Sequence, residues 1–532
     1  GPLRPAATGR ALALTRTAFE RRAVVVGTGQ DRLIDGVKAL AEGRSVPGLV
    51  RGEGVSSGRS VLVFPGQGSQ WVGMAAELSG ESEVFAGRMG ECERALSPYV
   101  DWSLTEALGS ERLLARVDVV QPVLWAVMVS LAEMWRSSGV AVDGVVGHSQ
   151  GEVAAACAAG GLSLDDGARV VALRSRAVGV LAGRGGMASV PLPVGEVRER
   201  IAPWAGRLSV AAVNGPSVTV VSGDADAVTA LVDELVGEGV RARSVEVDYA
   251  SHSSHVEEIR EQLLSDLAGI TPQSGAVPFF STVTGGWLDT KGLDAEYWYR
   301  NLRETVEFGK ATEALLGEGF RFFVEASPHP VLTFGVQQTA DRADTAGSAQ
   351  GPAVVVGTLR RGESGLDRFL TSLGEAYAGG LTPDWDRVFA GHRTDGVPLP
   401  TYPFQRRPYW LEDTAPAAGV GAGTPTEGDD FWDALGGGDL DRFTTALGVA
   451  PEDPLNVVLP ALATWRTERT ERSAVDSWRY RVTWRALPEG PVLLRLPGHG
   501  ARRGVVHPCL PDRPPLQGQA RCAGGRLGAQ RQ

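Results

Sequence analysis

Gly147-His148-Ser149-Gln150-Gly151 decides how this chain is read. The stretch follows an apolar, strand-like run from Val140 to Val146 and opens a small-residue helix, Glu152-Val-Ala-Ala-Ala-Cys-Ala-Ala-Gly160. A serine on a sharp strand-to-helix turn projects its hydroxyl and sits over a helix N-terminus, whose free N–H groups favour a developing oxyanion. Glycines on either side let the backbone turn without a Cβ clash. With 69 glycines in 532 residues the bare G-x-S-x-G pattern arises readily by chance, so it is the strand–turn–helix setting that marks Ser149 as a nucleophile.

Outward from that turn, apolar strand runs and helical patterns alternate. Ser60-Val-Leu-Val-Phe64 is a buried-strand run closed by Pro65-Gly66-Gln67-Gly68-Ser69-Gln70, and the alternation continues to about residue 345. This predicts an α/β domain over 58–345, α/β-hydrolase-like in its nucleophile turn. Within it, residues 187 to 248 read strand–helix–strand–strand–helix–strand, with Met187 to Pro191, Val194 to Ile201, Leu208 to Val213, Ser217 to Ser222, Ala225 to Val240 and Arg243 to Val247 as the elements. That order is the ferredoxin-like pattern, expected here as an inserted small subdomain.

Linker subdomains flank this core. Residues 1–57 are a basic, helix-prone lead-in ending in a Gly/Ser-rich break. Residues 346–412 return to mixed structure and finish in the Pro- and aromatic-rich strap Leu399-Pro-Thr-Tyr-Pro-Phe-Gln-Arg-Arg-Pro-Tyr-Trp-Leu411, in which three prolines exclude a regular helix. Residues 413–472 read as an interdomain linker with helical pieces at 430–447 and 454–467, and 473–490 as the first strand of another domain (Trp478 to Trp484). Residues 491–532 hold seven Arg, six Pro, one Asp and no Glu or Lys, without periodicity. They read as out-of-frame translation or truncation, and disorder is expected.

Composition narrows the function. The length predicts about three or four domains, with globular hydrophobic (43%) and charged (22%) fractions. A net charge of −11 argues against a nucleic-acid surface or an anionic membrane as partner, so any anionic substrate must be held by local cations. The cations are 49 Arg against 3 Lys. Cys92, Cys157, Cys509 and Cys522 make neither a disulfide framework nor a metal cluster, and no metal is expected. Neither an uninterrupted run of about 18 apolar residues nor a signal-peptide pattern is present, and a cytoplasmic location is expected.

A serine nucleophile needs a base, and there are seven histidines. His499 and His507 lie in the aberrant tail and His392 in the late mixed region. His148 adjoins the nucleophile, where a neighbour on a turn points elsewhere, and His329 sits in the turn Ala326-Ser-Pro-His-Pro-Val-Leu332. His252 and His255 remain. His252, in Val247-Asp-Tyr-Ala-Ser-His252, stands where the chain re-enters the large domain and ranks first on position. Arg174, on the helix from Asp165 to Val178, is the third element. Helix arginines are mostly solvated, yet its neighbours Val170, Val171 and Leu173 are apolar, and a buried guanidinium wants a carboxylate.

Four motifs now stand in order and spacing: Phe64-Pro-Gly-Gln-Gly-Ser-Gln70, Gly147-His-Ser-Gln-Gly151, Ala168-Arg-Val-Val-Ala-Leu-Arg174 and Tyr249-Ala-Ser-His252. Together they resemble the malonyl-CoA:acyl-carrier-protein transacylase family, specifically the acyltransferase domain of a bacterial modular type I polyketide synthase. The resemblance covers about residues 10 to 485, with the lead-in resembling a ketosynthase-to-acyltransferase linker, the 399–411 strap a post-acyltransferase linker, and 473–487 the start of a ketoreductase region.

The resemblance implies that Ser149 takes the acyl group and His252 is its base. The backbone N–H groups of Gln67 and Gln150 then form the oxyanion hole, Arg174 clamps the extender's free carboxylate, and the backbone carbonyl of Asn301 orients the histidine. It implies an extender acyl-CoA as substrate, no bound cofactor, and the phosphopantetheine of an acyl carrier protein as acceptor, alongside ketosynthase and other synthase domains. Arg116-Val-Asp-Val-Val-Gln-Pro122, Gln150 and Tyr249-Ala250-Ser251-His252 resemble the methylmalonyl-type pattern, where malonyl-type relatives carry a branched residue after the serine and His-Ala-Phe-His in the last motif. Small Ala250 and Ser251 leave room for an α-methyl group where a phenyl ring would clash. The alternatives are a malonyl-specific enzyme, a serine esterase of the α/β-hydrolase class, and an inactive docking fragment. The esterase would want an acid between serine and histidine and no buried arginine, and intact Ser149, His252 and Arg174 count against a dead fragment.

Overall fold

The computed structural model describes residues 4–401 apart from 55–56, 205, 346–350, 393–396 and 398, together with 440–450, 453–454, 458–464 and 466–467. Most of the strap at 399–411, the linker at 413–428, the strand expected at 478–484 and the 491–532 tail lie outside the described residues.

The lead-in forms an antiparallel ribbon, β1 (Arg21–Val25) and β2 (Leu49–Glu53), with the helix Gln30–Ala41 between the strands. The sequence reading expects only helices here. The ribbon escapes it because its cover comes from far along the chain, the helix Leu366–Gly379. Gly52 permits that approach, since a Cβ there would lie 2.7 Å from the Ala378 carbonyl oxygen. Arg22 lies over the Tyr377 ring at 4.8 Å and donates to its carbonyl at 3.0 Å.

β3 (Arg59–Phe64) and β4 (Gly144–Gly147) are apolar runs buried on both faces, as a parallel sheet covered on two sides requires. The inserted subdomain follows: β5 (Gly185–Val190), the helix Val194–Ile201, β6 (Leu208–Gly215), β7 (Val218–Asp224), the helix Ala225–Gly237 and β8 (Arg243–Ser244). Its antiparallel sheet runs β6-β7-β5-β8, the ferredoxin-like arrangement. β8 stops three residues earlier than expected: Val245 still donates to the Met187 carbonyl, but Val247 folds back to donate to that of Val245, each at 2.8 Å. That bend carries the chain out of the small sheet to Tyr249 and His252.

β9 (Phe279–Ser281), β10 (Gly286–Leu288), β11 (Phe320–Glu325) and β12 (Val354–Gly357) complete the large sheet, ordered β10-β9-β4-β3-β11-β12 and parallel except at β10. The helix Val117–Ser137 is long and apolar enough to cross a membrane by length and composition alone, yet 83% of its apolar window is buried in the core, with Trp125 and Trp135 fully covered. β3 and β4 are neighbours near the middle of the sheet, so the loops leaving their carboxyl ends lie side by side, where open parallel sheets place their sites. One bond joins the two loops, from His148 N–H to the Phe64 carbonyl at 2.8 Å. Beyond residue 405 the described residues include the helix Leu440–Leu447, in a second compact unit.

Candidate active site

Ser149 sits between β4 and the helix Gly151–Ala159 with φ 52°, a left-handed conformation that costs a non-glycine residue energy. The flanking glycines are there for close approach. A Cβ on Gly147 would lie 2.3 Å from Glu152 Cα, and one on Gly151 would lie 2.1 Å from the Phe64 carbonyl oxygen. Both obstacles are backbone atoms of packed elements, so neither can yield.

His252 Nε2 lies 2.8 Å from Ser149 Oγ. The histidine also has a left-handed backbone, φ 60°, with its N–H bonded to the Leu302 carbonyl at 2.9 Å. Nδ1 lies 2.7 Å from the Glu304 carbonyl, which can only accept. Nδ1 therefore carries the proton, and Nε2 presents its lone pair to the serine hydroxyl. Burial first, then the nearby Arg174 charge, push the imidazole down to about 3, so it is neutral near pH 7 and able to take a proton.

The Glu304 carbonyl corrects one expectation. The residue resembling the histidine-orienting position is Asn301, but Asn301 lies inside the helix Ala295–Arg303, whereas Glu304 is just past its end, where a carbonyl is free to turn outward. Asn301 contributes its side chain instead. Nδ2 donates to the Ser149 carbonyl (3.1 Å) and to Glu152 Oε2 (2.8 Å), and Oδ1 accepts from Arg174 (3.2 Å).

Arg174 is 1% exposed. Nη1 donates to Gln121 Oε1 at 3.1 Å, and Nη2 reaches both Asn301 Oδ1 and Ser149 Oγ, the latter at 3.3 Å. Among the described residues no carboxylate lies within ion-pair distance of it, and its Nε has no hydrogen-bond partner. Burial pulls the guanidinium down to about 10, still charged at neutral pH. The site thus holds a buried cation in contact with the nucleophile's hydroxyl, with no carboxylate paired to it among the described residues.

The backbone amides of Gln67 and Gln150 belong to the two joined loops, and neither donates to another group among the described residues. The Gln67 side chain accepts from Tyr249 Oη at 2.7 Å, which fixes its loop to the segment leading to His252. Burial pushes the Tyr249 phenol up to about 12, so it remains a donor. Gln150 is 2% exposed with its side-chain amide unpartnered. The two small residues differ in what they meet. Ala250 abuts Gly185, where an added Cβ would come within 2.6 Å of the Ala250 Cβ, while Ser251 is buried beside His252.

Three further histidines are engaged elsewhere. His148 Nε2 pairs with Asn214 Oδ1 at 2.8 Å, tying the nucleophile turn to β6. His255 meets Asp224 at 2.8 Å, and His329 Nδ1 accepts the Arg361 N–H at 3.3 Å. Gln121, Glu152 and Glu304 are the positions in contact with the site that residue-by-residue reading does not single out. Only Glu152 leaves a signal, as the sole charge on an otherwise small and apolar helix.

A strained serine with a neutral histidine at 2.8 Å, two unengaged amides and a buried cation define a serine-dependent acyltransferase site. Residues 61–383 match the acyl transferase domain family, to which the chain belongs, and residues 429–472, within the stretch read as interdomain linker, match the polyketide synthase dimerisation element domain. More particularly, it is an acyltransferase domain of the bacterial modular type I polyketide synthases. Polyketide synthase GfsA of Streptomyces halstedii is 55% identical over 501 residues, covering 92% of this chain and 7% of that protein. Erythronolide synthase EryA3 of Saccharopolyspora erythraea is 53% identical over 406 residues, covering 76% of this chain and 12% of that protein, so the chain spans a small part of these relatives. The acyltransferase domain from module 8 of the salinomycin polyketide synthase has 53% identity and a TM-score of 0.69, over 73% of this chain and 91% of that one. FabD from Acinetobacter baumannii, 24% identical over 60% of this chain and 99% of its own, shares the fold with a TM-score of 0.53.

Proposed function

We propose that this chain loads a carboxyl-bearing extender unit, methylmalonyl in preference to malonyl, from CoA onto Ser149 and passes it to the phosphopantetheine thiol of an acyl carrier protein. Arg174 carries this reading: a buried guanidinium without a carboxylate partner among the described residues, touching the nucleophile's hydroxyl. Its planar fork matches a free carboxylate, and a monocarboxylic acyl group would leave it unpaired.

The steps follow from the geometry. The extender carboxylate pairs with Arg174, and the thioester carbonyl takes the Gln67 and Gln150 amides. Ser149 Oγ attacks the carbonyl carbon as its proton passes to His252 Nε2. The C–S bond breaks, CoA sulfur leaves with that proton, and an oxyester remains on Ser149. In the second half the carrier thiol gives its proton to His252 and attacks the ester carbon, and Ser149 Oγ leaves with the proton. A backbone carbonyl stabilises the transient imidazolium less than an acid would, and the substrate carboxylate offsets this by neutralising Arg174. The exchange of thioester for oxyester and back calls for no cofactor.

The methylmalonyl preference rests on Gln150, Tyr249 and the small Ser251, with Ala250 turned toward Gly185. The elbow on a central parallel strand is the feature in common with α/β-hydrolases, but the histidine here has a carbonyl where an esterase triad has an acid. Ketosynthase and further synthase domains are the natural partners, and the cytoplasm, where acyl-CoA is available, the place of action. Intact-protein mass after incubation with malonyl-, methylmalonyl- and ethylmalonyl-CoA tests the reading: an adduct of methylmalonyl mass should predominate, and a predominant malonyl adduct would overturn the preference.

A further inference from the structure

Asn301 uses its whole amide. It is 1% exposed, with two acceptors on the Nδ2 side, the Ser149 carbonyl and Glu152 Oε2, and the Arg174 cation on the Oδ1 side. An acceptor-only carbonyl on one side and a donor-only guanidinium on the other permit one amide orientation. Glu152, fully buried in the first turn of its helix, receives four hydrogen bonds. Oε1 takes the Thr282 N–H (2.6 Å) and hydroxyl (2.8 Å), and Oε2 takes the Tyr297 hydroxyl (2.6 Å) and Asn301 Nδ2. Burial lifts the Glu152 carboxyl above its ordinary range, and these donors oppose the lift.

We infer that Asn301, held by Glu152, determines the selectivity for a carboxyl-bearing acyl group by positioning the Arg174 guanidinium with a neutral oxygen, so that its charge stays free for the substrate. The inference rests on reading Arg174 as the carboxylate clamp. A carboxylate at position 301 would touch the guanidinium directly, and such a buried ion pair would compete with the ligand. At position 152 the carboxyl group stands one hydrogen-bonded residue further back. There it favours the cation without replacing its ligand. The same amide grips the Ser149 carbonyl, so clamp and nucleophile are set by one side chain.

The direct test moves the carboxyl group one place along this relay. The double exchange Glu152→Gln/Asn301→Asp keeps the net charge and the count of amide and carboxyl groups. Self-acylation is followed by intact mass with methylmalonyl-CoA and with propionyl-CoA, in parallel with Arg174→Ala. The ratio of kcat/KM for the two donors should fall about tenfold or more, the worth of a hydrogen bond to a charged group, on top of a rate loss common to both donors from the freed Ser149 carbonyl. Asn301→Ala, which frees the guanidinium without adding charge, should lower the same ratio through KM for methylmalonyl-CoA, and it decides the matter if thermal melting shows the double exchange unfolded. If Arg174→Ala lowers the ratio while the folded exchange, or Asn301→Ala in its place, does not, the inference is overturned and the clamp stands. If Arg174→Ala leaves the ratio at its wild-type value, the clamp itself is wrong and the inference falls with it.

Discussion

Ser149 Oγ and His252 Nε2 meet at 2.8 Å although both residues hold left-handed backbones, at φ 52° and 60°. Strain of this kind persists only when the surroundings fix it. On the serine side, Glu152 at the helix start packs against Gly147 and the Phe64 carbonyl of β3 against Gly151, each closely enough to demand glycine. On the histidine side the Leu302 and Glu304 carbonyls hold N–H and Nδ1. Two residues past Glu304, Val306 bonds both ways with the edge of β6, to the Ala211 carbonyl and from the Val213 N–H, each at 2.9 Å. The orientation of the base is therefore anchored in the inserted subdomain.

Gly151→Ala should break the elbow. The new methyl would meet the Phe64 carbonyl oxygen at 2.1 Å, and the helix start and β3 cannot part without opening the nucleophile turn. A loss of at least about 3 kcal/mol is expected, read as a lower Tm with no acyl adduct. A variant with wild-type melting and full acylation would show that the turn tolerates a side chain.

The pH dependence follows from the direction of the His252 shift. With its pKa pressed to about 3, the free enzyme keeps a neutral base well below the ordinary histidine value of 6.5. The acid limb of kcat/KM should therefore lie below pH 6.5. Pairing of Arg174 with the substrate carboxylate removes one cause of the depression, so the acid limb of kcat should lie at higher pH than that of kcat/KM. The sign for stability is the reverse of a histidine that gains a partner. The unfolded chain takes up the proton near 6.5 and the folded chain only near 3, so stability falls as pH drops through that window, by about 1.4 kcal/mol per unit for one proton. His252→Gln should lose less stability over the same range. A kcat/KM inflection at or above 6.5 contradicts the assignment.

Tyr249→Phe removes the hydroxyl that holds Gln67 Oε1 at 2.7 Å and so loosens the loop carrying the Gln67 amide. A drop of roughly 3- to 10-fold in kcat with little change in KM is expected, the worth of one hydrogen bond felt in the transition state. A pure KM effect would show that the Tyr249–Gln67 bond does not act on the transition state.

Methylmalonyl-CoA should outcompete malonyl-CoA by roughly 10- to 200-fold in kcat/KM, the range one methylene gives. Ser251→Phe should shift the preference toward malonyl-CoA. Position 251 is chosen over 250 because Ala250 abuts Gly185 in the small sheet, where a ring has no room. An unchanged ratio in the Ser251→Phe protein would take position 251 out of the selectivity account.

What the sequence makes legible is whatever depends on side-chain type at fixed spacing. The apolar runs of β3 and β4, the elbow that follows β4, and the strand–helix alternation from Met187 onward are all of this kind. So are Ser149, marked by its elbow, and His252, one of only seven histidines, whereas Arg174, one of 49 arginines, stands out only through its apolar helix neighbours. Glu304 leaves no such trace, because it acts through a backbone carbonyl that any residue carries, and its value comes from lying just past the end of a helix. Asn301 is legible as a polar residue but not as a side-chain contact to Arg174 and Glu152, which needs three separate helices brought together. The β1–β2 ribbon is hidden for a related reason, since the helix that covers it lies over 300 residues downstream.

The central claim is that Ser149 is acylated by an extender whose free carboxylate is read by Arg174. It is tested most directly by exposing the wild-type chain, Ser149→Ala and Arg174→Ala to an equimolar mixture of methylmalonyl-CoA and propionyl-CoA and weighing the intact proteins. The wild type should carry a single methylmalonyl adduct, Ser149→Ala none, and Arg174→Ala should lose the methylmalonyl adduct while keeping or gaining the propionyl one. A wild type acylated equally by both donors, or an adduct that survives Ser149→Ala, would contradict the account.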